Sequence, residues 1–486
     1  MTLASTVCVF VFGLLVGLLL SLDGAATQAA AALALRPGSA ARVVGAAAGE
    51  GARASPCPVL PSPRAPSLAR TFWTSDLHDG TRADVTSTLT ALGHSLVLAG
   101  HKGQKGPYRT VFAHPRVQQP LARLADYLQG AKSSMSRLTE KDIAAVFAYY
   151  QHDPQVAATD AFVCMFPNAA CELWMPYNKS IIWLAAHRYV LGRCATAAWV
   201  RLGDHMRATL ARRGSGSVVA AMSRYDVEYI NYYTGLRPLL VSSSSLWYAG
   251  RGATTWRARP RPEILIGPLQ RRSWSHTRNM SHATDDEFQF VAVKVAYPRF
   301  ELQDIANHRA IVIFPYAVMS YGITECYAMG IPIFVPSIDF LYALGLHGMR
   351  DYKGMHDYQV TVHTSYCGPG AVPPPRHPDA NPQHVYSPEH GKDFASFEYW
   401  MQFADLFTWP HITQFSSYAD LAAKLKAANF SAIHEAMLME NTRRERELSA
   451  TWNSIAAAIP RKTSVPNGTY VDAIRALWGV DRLMVS

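Results

Sequence analysis

From residue 71 onward, short apolar runs alternate with longer amphipathic stretches, the pattern of a parallel sheet whose strands are joined by helices. Thr71 to Ser75 reads as a strand, Ala83 to Leu92 as a helix closed by Gly93, and Ser95 to Ala99 as the next strand, one complete βαβ unit. A helical region is expected over Pro120 to Tyr150. Strands follow at Ala161 to Phe166, Ser180 to Leu184, Val218 to Met222 and Pro238 to Val241, with helices near Ala169 to Trp174, at Ala195 to Ala211 and near Val227 to Tyr233. Residues 244 to 262 lose the period and turn rich in Gly, Arg and Pro, as an interdomain linker does. The alternation then restarts. Strands are expected at Glu263 to Gly267, Phe288 to Ala296, Ala310 to Phe314 and Pro332 to Pro336, and helices at Glu301 to Asn307 and Ile323 to Met329. Residues 345 to 395 hold six histidines (347, 356, 363, 377, 384 and 390) and a proline cluster without a period, so they read as a long loop. The stretch 395 to 486 reads as largely helical, with Asp420 to Ala427 amphipathic.

The fold class predicted is therefore α/β, with two Rossmann-like domains facing a central cleft: an N-terminal one over 69–250, a C-terminal one over 251–430, and a helical extension over 431–486. Two segments precede them. Residues 3 to 22 form an uncharged, mostly apolar run of bilayer-spanning length, so 1–22 reads as a signal anchor or, given the small residues Gly24 to Ala26, a cleaved signal peptide. Residues 23–68 are rich in Ala, Arg, Pro, Gly and Ser and read as a disordered stem. Asn-x-Ser/Thr sequons at Asn178, Asn279, Asn429 and Asn467 agree with a luminal body, so the expected location is a Golgi or ER membrane, or secretion if the leader is cleaved.

Composition narrows the class further. Apolar residues make up 49% of the 486 and charged residues 17%, which excludes disorder over most of the chain and any coiled-coil or collagen-like build. The net charge of +10 is local: residues 251 to 278 alone hold seven arginines against one glutamate. That concentration favours a small anionic ligand, or a solvated linker, and not a nucleic-acid partner. The seven cysteines form no CxxC pair; Cys164, Cys171 and Cys194 lie close enough for one disulfide in an oxidising compartment.

Ligands of doubly wound sheets sit beyond the carboxyl ends of the strands, and candidate chemistry gathers there. After the first strand, Asp76-Leu77-His78-Asp79-Gly80-Thr81 offers His78 and Asp79 as a general base for an acceptor hydroxyl, or as no more than a helix cap. His187 and Arg188, and Arg224 after the 218–222 strand, could contact an acceptor or a phosphate, or pair in loop salt bridges. Arg271 and Arg272 follow the 263–267 strand and suit a diphosphate, because a guanidinium pairs bidentately with phosphate oxygens. In Ser320-Tyr321-Gly322-Ile323-Thr324-Glu325, Gly322 lets a ligand approach the backbone. Ser320, Thr324 and neighbouring amides expose donors at a helix start, and Glu325 can accept from ribose hydroxyls.

The run from Ser320 to Pro336 resembles the donor-nucleotide motif of the C-terminal domain of GT-B-fold glycosyltransferases, in which a glycine-containing loop leads into a helix of the form Glu-Ala-Met-Ala-x-Gly-x-Pro. Glu325, Gly330 and Pro332 keep that spacing over about twenty residues. The resemblance implies a nucleotide-sugar donor in the C-terminal domain, a glycan, glycoprotein or lipid acceptor in the N-terminal one, no required cofactor and catalysis without a bound metal, with the His-rich loop over 345–395 as the alternative that would hold one; the apolar run implies membrane contact through the N-terminal helix, and the charge pattern no nucleic acid. Retaining members carry a second acid eight positions before the helix glutamate; that position is Ala317 here, which favours inversion with a base from His78 or Asp79. Two other readings compete. Ser75-Asp76-Leu77-His78 resembles the first metal motif of calcineurin-like metallophosphoesterases, whose Gly-Asn-His motif is missing, and a GT-B-like body could bind carbohydrate without catalysis.

Overall fold

The computed structural model describes residues 69–483 apart from position 77, position 316, position 482 and the segments 101–107, 120–137, 191–192, 251–254, 257–260, 268–273, 347–371, 391–392 and 462–463. The expected anchor (1–22) and stem (23–68) lie outside the described residues, among which no helix is long and apolar enough to cross a membrane.

Two sheets, parallel throughout, carry the fold. The first has seven strands in the order β3-β2-β1-β4-β5-β6-β7, with β1 Thr71–Asp76, β2 Ser95–Gly100, β3 Val117–Gln118, β4 Ala161–Cys164, β5 Ser180–Ala185, β6 Val218–Ala221 and β7 Leu239–Leu240. The second runs β12-β11-β10-β8-β9, with β8 Arg261–Gly267, β9 Phe290–Ala292, β10 His308–Ile313, β11 Ile333–Pro336 and β12 Thr413–Phe415. Central strands are buried on both faces, which is why they read as continuous apolar runs. In β8, Leu265 packs into the main core while Ile264 and Ile266 face a second, smaller cluster with Phe314 and Phe415.

The principal helices are α1 Asp79–Ala91, α2 Glu140–Tyr150, α3 Thr196–Ala211, α4 Arg224–Thr234, α5 Trp274–Ala283, α6 Tyr321–Ala328, α7 Ile338–Leu346, α8 Phe394–Met401, α9 Tyr418–Ala427, α10 Phe430–Ala458 and α11 Tyr470–Trp478. Several differ from expectation for local reasons. α1 starts four residues early because His78 caps it and Gly80 to Ala83 are buried. Of the helical region expected over 120–150, the described part is α2, started by a reciprocal Thr139/Asp142 capping box. The strand expected over 288–296 ends at Ala292, and Val293–Ala296 turn into one helical turn before Pro298. The 169–174 helix is a 3-10 stretch, Asn168–Trp174. The edge strands β3 and β12 are two and three residues long, too short to show a period, and α5 and α7 were also unanticipated.

α10 spans both sheets. At one end His434 bonds the Gly330 carbonyl at 2.7 Å, in mid-helix Asn441 donates to the carbonyls of Tyr327 and Ala328, and further on Trp452 meets the Phe72 ring of β1 edge-on while Arg70 donates to Ala456. The link between the sheets is tied down where it leaves β7. The buried Asp84 carboxyl of α1 accepts from the backbone N–H groups of Ser244 and Ser245, each at 2.8 Å, and from the Ser244 hydroxyl at 3.1 Å. Cys164 and Cys171 form a disulfide that ties the end of β4 to the following 3-10 turn, a pairing within the expected trio.

Asp84→Ala leaves two buried N–H groups without acceptors, at roughly 1–3 kcal/mol each. It should therefore lower the unfolding free energy by about 2–5 kcal/mol in urea titrations. A loss below about 0.5 kcal/mol, the range of ordinary surface substitutions, would show that the Asp84 anchor does not hold the link.

Candidate functional site

Two helices start at the same place from opposite sheets. β1 ends at Asp76 and α1 begins at Asp79; β10 ends at Ile313 and α6 begins at Tyr321. Their first turns touch. A Cβ built on Gly80 would lie 2.7 Å from the Tyr321 ring, so glycine is what lets the two helix starts approach so closely. The His78 ring stacks on Tyr321, centroids 5.7 Å apart and 29° between planes, and meets Phe166 edge-on at 6.1 Å. Phe166 in turn lies 6.2 Å from the His187 ring. His187, Phe166, His78 and Tyr321 thus form a row of rings along the carboxyl edge of the first sheet, reaching onto the second.

His78 is exposed and caps α1: its Nδ1 accepts from the Thr81 N–H at 3.5 Å and lies 3.4 Å from the Thr81 hydroxyl. Its own N–H donates to Asp76, whose other oxygen accepts from the Phe166 N–H at 3.2 Å. Asp76 therefore ties the β1 loop to the β4 loop. Burial pushes its carboxyl well above the ordinary range, against those two hydrogen bonds and the Arg82 charge. Asp79, a third exposed, pairs with buried Arg82 at 3.3 Å, and that guanidinium lies over the Phe112 ring.

On the facing helix, Ser320 and Gly322 are half-buried, while Thr324 is buried and donates its hydroxyl back to the Ser320 carbonyl at 3.0 Å. Ser320 occupies the N-cap position without capping through its side chain. Glu325 is 3% exposed, and its Oε1 accepts from the hydroxyls of Tyr108 and Tyr248, both at 2.8 Å. Burial raises its pKa to about 7, opposed by the two tyrosine hydrogen bonds and helped by the nearby Asp84 charge. One oxygen of the carboxyl expected to meet ribose is thus engaged with two phenols, Tyr108 following β2 and Tyr248 in the link.

The other expected residues divide. Arg188 is buried, its guanidinium 5.8 Å from the Tyr229 ring centre, and it bonds through its backbone to buried Asp226, which also feels the His187 charge. Arg224 lies apart from the ring row. It is exposed, sits over the Phe403 ring and lines a cavity of about 300 Å³ with Asp405, Trp409 and Arg444. The Asp226 carboxylate accepts from the Ser223 hydroxyl, and its backbone N–H donates to the same hydroxyl oxygen, by which Ser223 caps α4. Arg271 and Arg272 lie outside the described residues, as does much of the His-rich loop; its His384 is buried between Glu228 and the Tyr399 hydroxyl. Among the described residues no three His, Cys, Asp or Glu side chains gather as a metal site would require. Sequence reading missed Tyr108, Phe166, Tyr248 and Tyr321. Tyr321 stood inside the recognised motif, but Tyr108 and Tyr248 lie in aperiodic segments with nothing to mark them.

No protein-family model matches the sequence, and no curated protein does. Solved structures do match. The glycotransferase of kitacinnamycin is 12% identical, covering 81% of this chain and 99% of that one at a TM-score of 0.42. CalG4, the calicheamicin glycosyltransferase, is 12% identical over the same shares at 0.41. The spinosyn rhamnosyltransferase SpnG complexed with thymidine diphosphate is 10% identical, covering 79% and 99% at 0.36. These are GT-B glycosyltransferases.

The Glu325 carboxyl gives a pH signature. Its folded value of about 7 exceeds the ordinary 4.5, so the folded protein holds the proton more tightly. Its contribution to stability is complete below about pH 4.5 and is lost as pH rises to about 7, an effect of about 3 kcal/mol. Glu325→Gln keeps an oxygen for the tyrosines and removes the titration. Its stability relative to wild type should therefore improve steadily between pH 5 and 7.5 in denaturant titrations; a constant offset across that range would disprove a titrating Glu325.

Proposed function

We propose that the protein is a glycosyltransferase of the secretory pathway, moving a sugar from a nucleotide-sugar to a hydroxyl of a glycan, glycoprotein or lipid. The observation that carries this reading is the contact of two helix starts from two parallel sheets, with exposed His78 on one and the half-buried Ser320–Gly322 turn on the other. The Ile323 and Thr324 amides donate to the Ser320 carbonyl, so at the start of α6 a diphosphate would be met by the helix dipole, the earlier amides of the first turn and, in this reading, Arg271 and Arg272. A metal ion or cofactor has no part in the proposal. The acceptor oxygen attacks the anomeric carbon, the bond from that carbon to the diphosphate oxygen breaks, and the hydroxyl proton passes to the base.

His78 suits that base better than Asp79. It is exposed, and its Nδ1 meets Thr81 through long contacts that an acceptor hydroxyl can displace, whereas the Asp79 carboxylate is paired with Arg82. A sugar bound here would lie against the half-buried Phe166 ring, whose apolar surface suits the C–H face of a pyranose, with the buried Tyr321 ring backing His78. Tyr108 and Tyr248 both bond Oε1 of Glu325, so the contact to ribose proposed from the sequence falls to the other carboxyl oxygen. The Cys164–Cys171 disulfide supports an oxidising, luminal compartment.

Thermal melts with a panel of nucleoside diphosphates and nucleotide-sugars, with and without EDTA, test the donor site. One nucleotide should raise Tm, and EDTA should leave the shift intact. His78→Ala should keep that shift yet slow donor turnover by about 10²–10⁴-fold. Failure of every nucleotide to stabilise the protein, or full turnover by the variant, would reject the proposal. Stabilisation by a divalent cation that Asp76→Asn removes would favour the phosphoesterase instead.

A further inference from the structure

We propose that Asn429 and Asn467 carry N-linked glycans and that Asn178 and Asn279 do not. The assignment rests on the luminal compartment of the functional proposal, and on a difference among the four sequons that the sequence does not reveal.

Asn429 and Asn467 are exposed, in turns that lead into helices: Asn429 caps α10, and Asn467 lies two residues before Thr469, the cap of α11. Asn429 caps through its side-chain oxygen, which accepts from the Ala432 N–H at 3.1 Å. A glycan on the amide nitrogen leaves that oxygen in place, so modification and capping are compatible. Gly468, at φ +102°, turns the chain next to Asn467 in a conformation that L side chains rarely adopt.

The other two sequons are built into packed elements. Asn178 is half-buried and already holds a partner; the next residue, Lys179, is fully buried, and Ser180 is buried in β5 with its hydroxyl given to the Ser215 carbonyl. Asn279 lies inside α5, half-buried, hydrogen-bonded to the Tyr418 hydroxyl and followed by fully buried Met280. A branched polyol at either position would have to displace these contacts, so a chain modified there would not reach the folded, secreted form.

The structure also dates the modification. The Thr469 hydroxyl donates to Asp472 at 2.7 Å and Ser431 lies in the first turn of α10, so the folded sequons are locked into helix caps. Attachment therefore precedes folding of these turns. The asparagine Nδ2 bonds to the anomeric carbon of an oligosaccharide carried on a lipid diphosphate, the carbon–oxygen bond to the diphosphate breaks, the lipid diphosphate leaves and one amide proton is released.

The test expresses the full chain in a glycosylating eukaryotic host, once with its own N-terminus and once behind an added cleavable signal peptide. Amidase release of glycans in ¹⁸O water converts each occupied Asn to labelled Asp for peptide mass mapping. Label is expected at 429 and 467 and absent at 178 and 279 in the secreted, folded protein. Ser431→Ala, which spares the Asn429 cap, and Asn467→Gln should each remove one gel-mobility step. If the chain behind the added leader is unlabelled at either 429 or 467, or is labelled at 178 or 279, the assignment is overturned. If only that chain is labelled, at 429 and 467, the ranking of the four sequons holds, but the luminal reading of the native chain falls and with it the claim that the native protein carries these glycans. Neither result depends on transferase activity.

Discussion

Glu325 is the constraint around which the two sheets are arranged. A carboxyl at 3% exposure is costly to bury charged, and here the cost is met by two phenols from outside its own sheet. Tyr108 arrives on the loop after β2 and Tyr248 on the link, and Tyr248 also lies 3.0 Å from the Ser245 hydroxyl. Ser245 is held through its backbone by Asp84 of α1. A single chain of hydrogen bonds therefore runs from α6 of the second sheet through the link to α1 of the first. The helix starts that form the candidate site are the same two helices, so the site and the junction share one support.

Arg444 of α10 completes this arrangement from the other side. It donates to the Ser243 carbonyl at 2.7 Å, lies 3.8 Å over the Trp409 ring, and supplies the positive charge that both Asp84 and Asp405 feel. Three buried carboxyls, those of Asp84, Glu325 and Asp405, all have raised pKa values from burial, and the one guanidinium among them is itself desolvated. Charge balance here is local, between residues from α1, α6, α10 and the turn before β12. The overall net charge of the sequence says nothing about it.

How much of this was legible depends on the range of the signal. The central strands β1, β2, β5, β8 and β10 were readable because burial on both faces forces unbroken apolar runs. The Ser320-to-Pro336 segment was readable because one helix start, one glycine and the next strand lie within twenty residues. His78 was visible as a polar residue after a strand, although its cap and its stacking on Tyr321 were not. What stayed hidden is long-range: Tyr108 is 217 positions from Glu325, and Asp84 is 160 from Ser244. No local period encodes such partners. Arg224 shows what position alone leaves open: it follows β6 as expected, and its guanidinium lies over the Phe403 ring beside the cavity it lines with Asp405, Trp409 and Arg444.

α6 also explains why so short a motif can carry so much of the molecule. Its first turn meets His78 and Gly80; its middle holds Glu325; its last turn receives Asn441 at the carbonyls of Tyr327 and Ala328, and Tyr327 donates to the Pro410 carbonyl at 3.0 Å. Gly330, at φ +70°, closes it where the His434 ring would meet any Cβ within 2.4 Å. Eight residues thus touch the first sheet, the link and the C-terminal helix at once. A helix so constrained cannot drift relative to α1, and that rigidity is what the proposed site, assembled from two separate sheets, would require: the exposed imidazole on one helix start and the backbone donors on the other would have to hold one spacing before any ligand arrives.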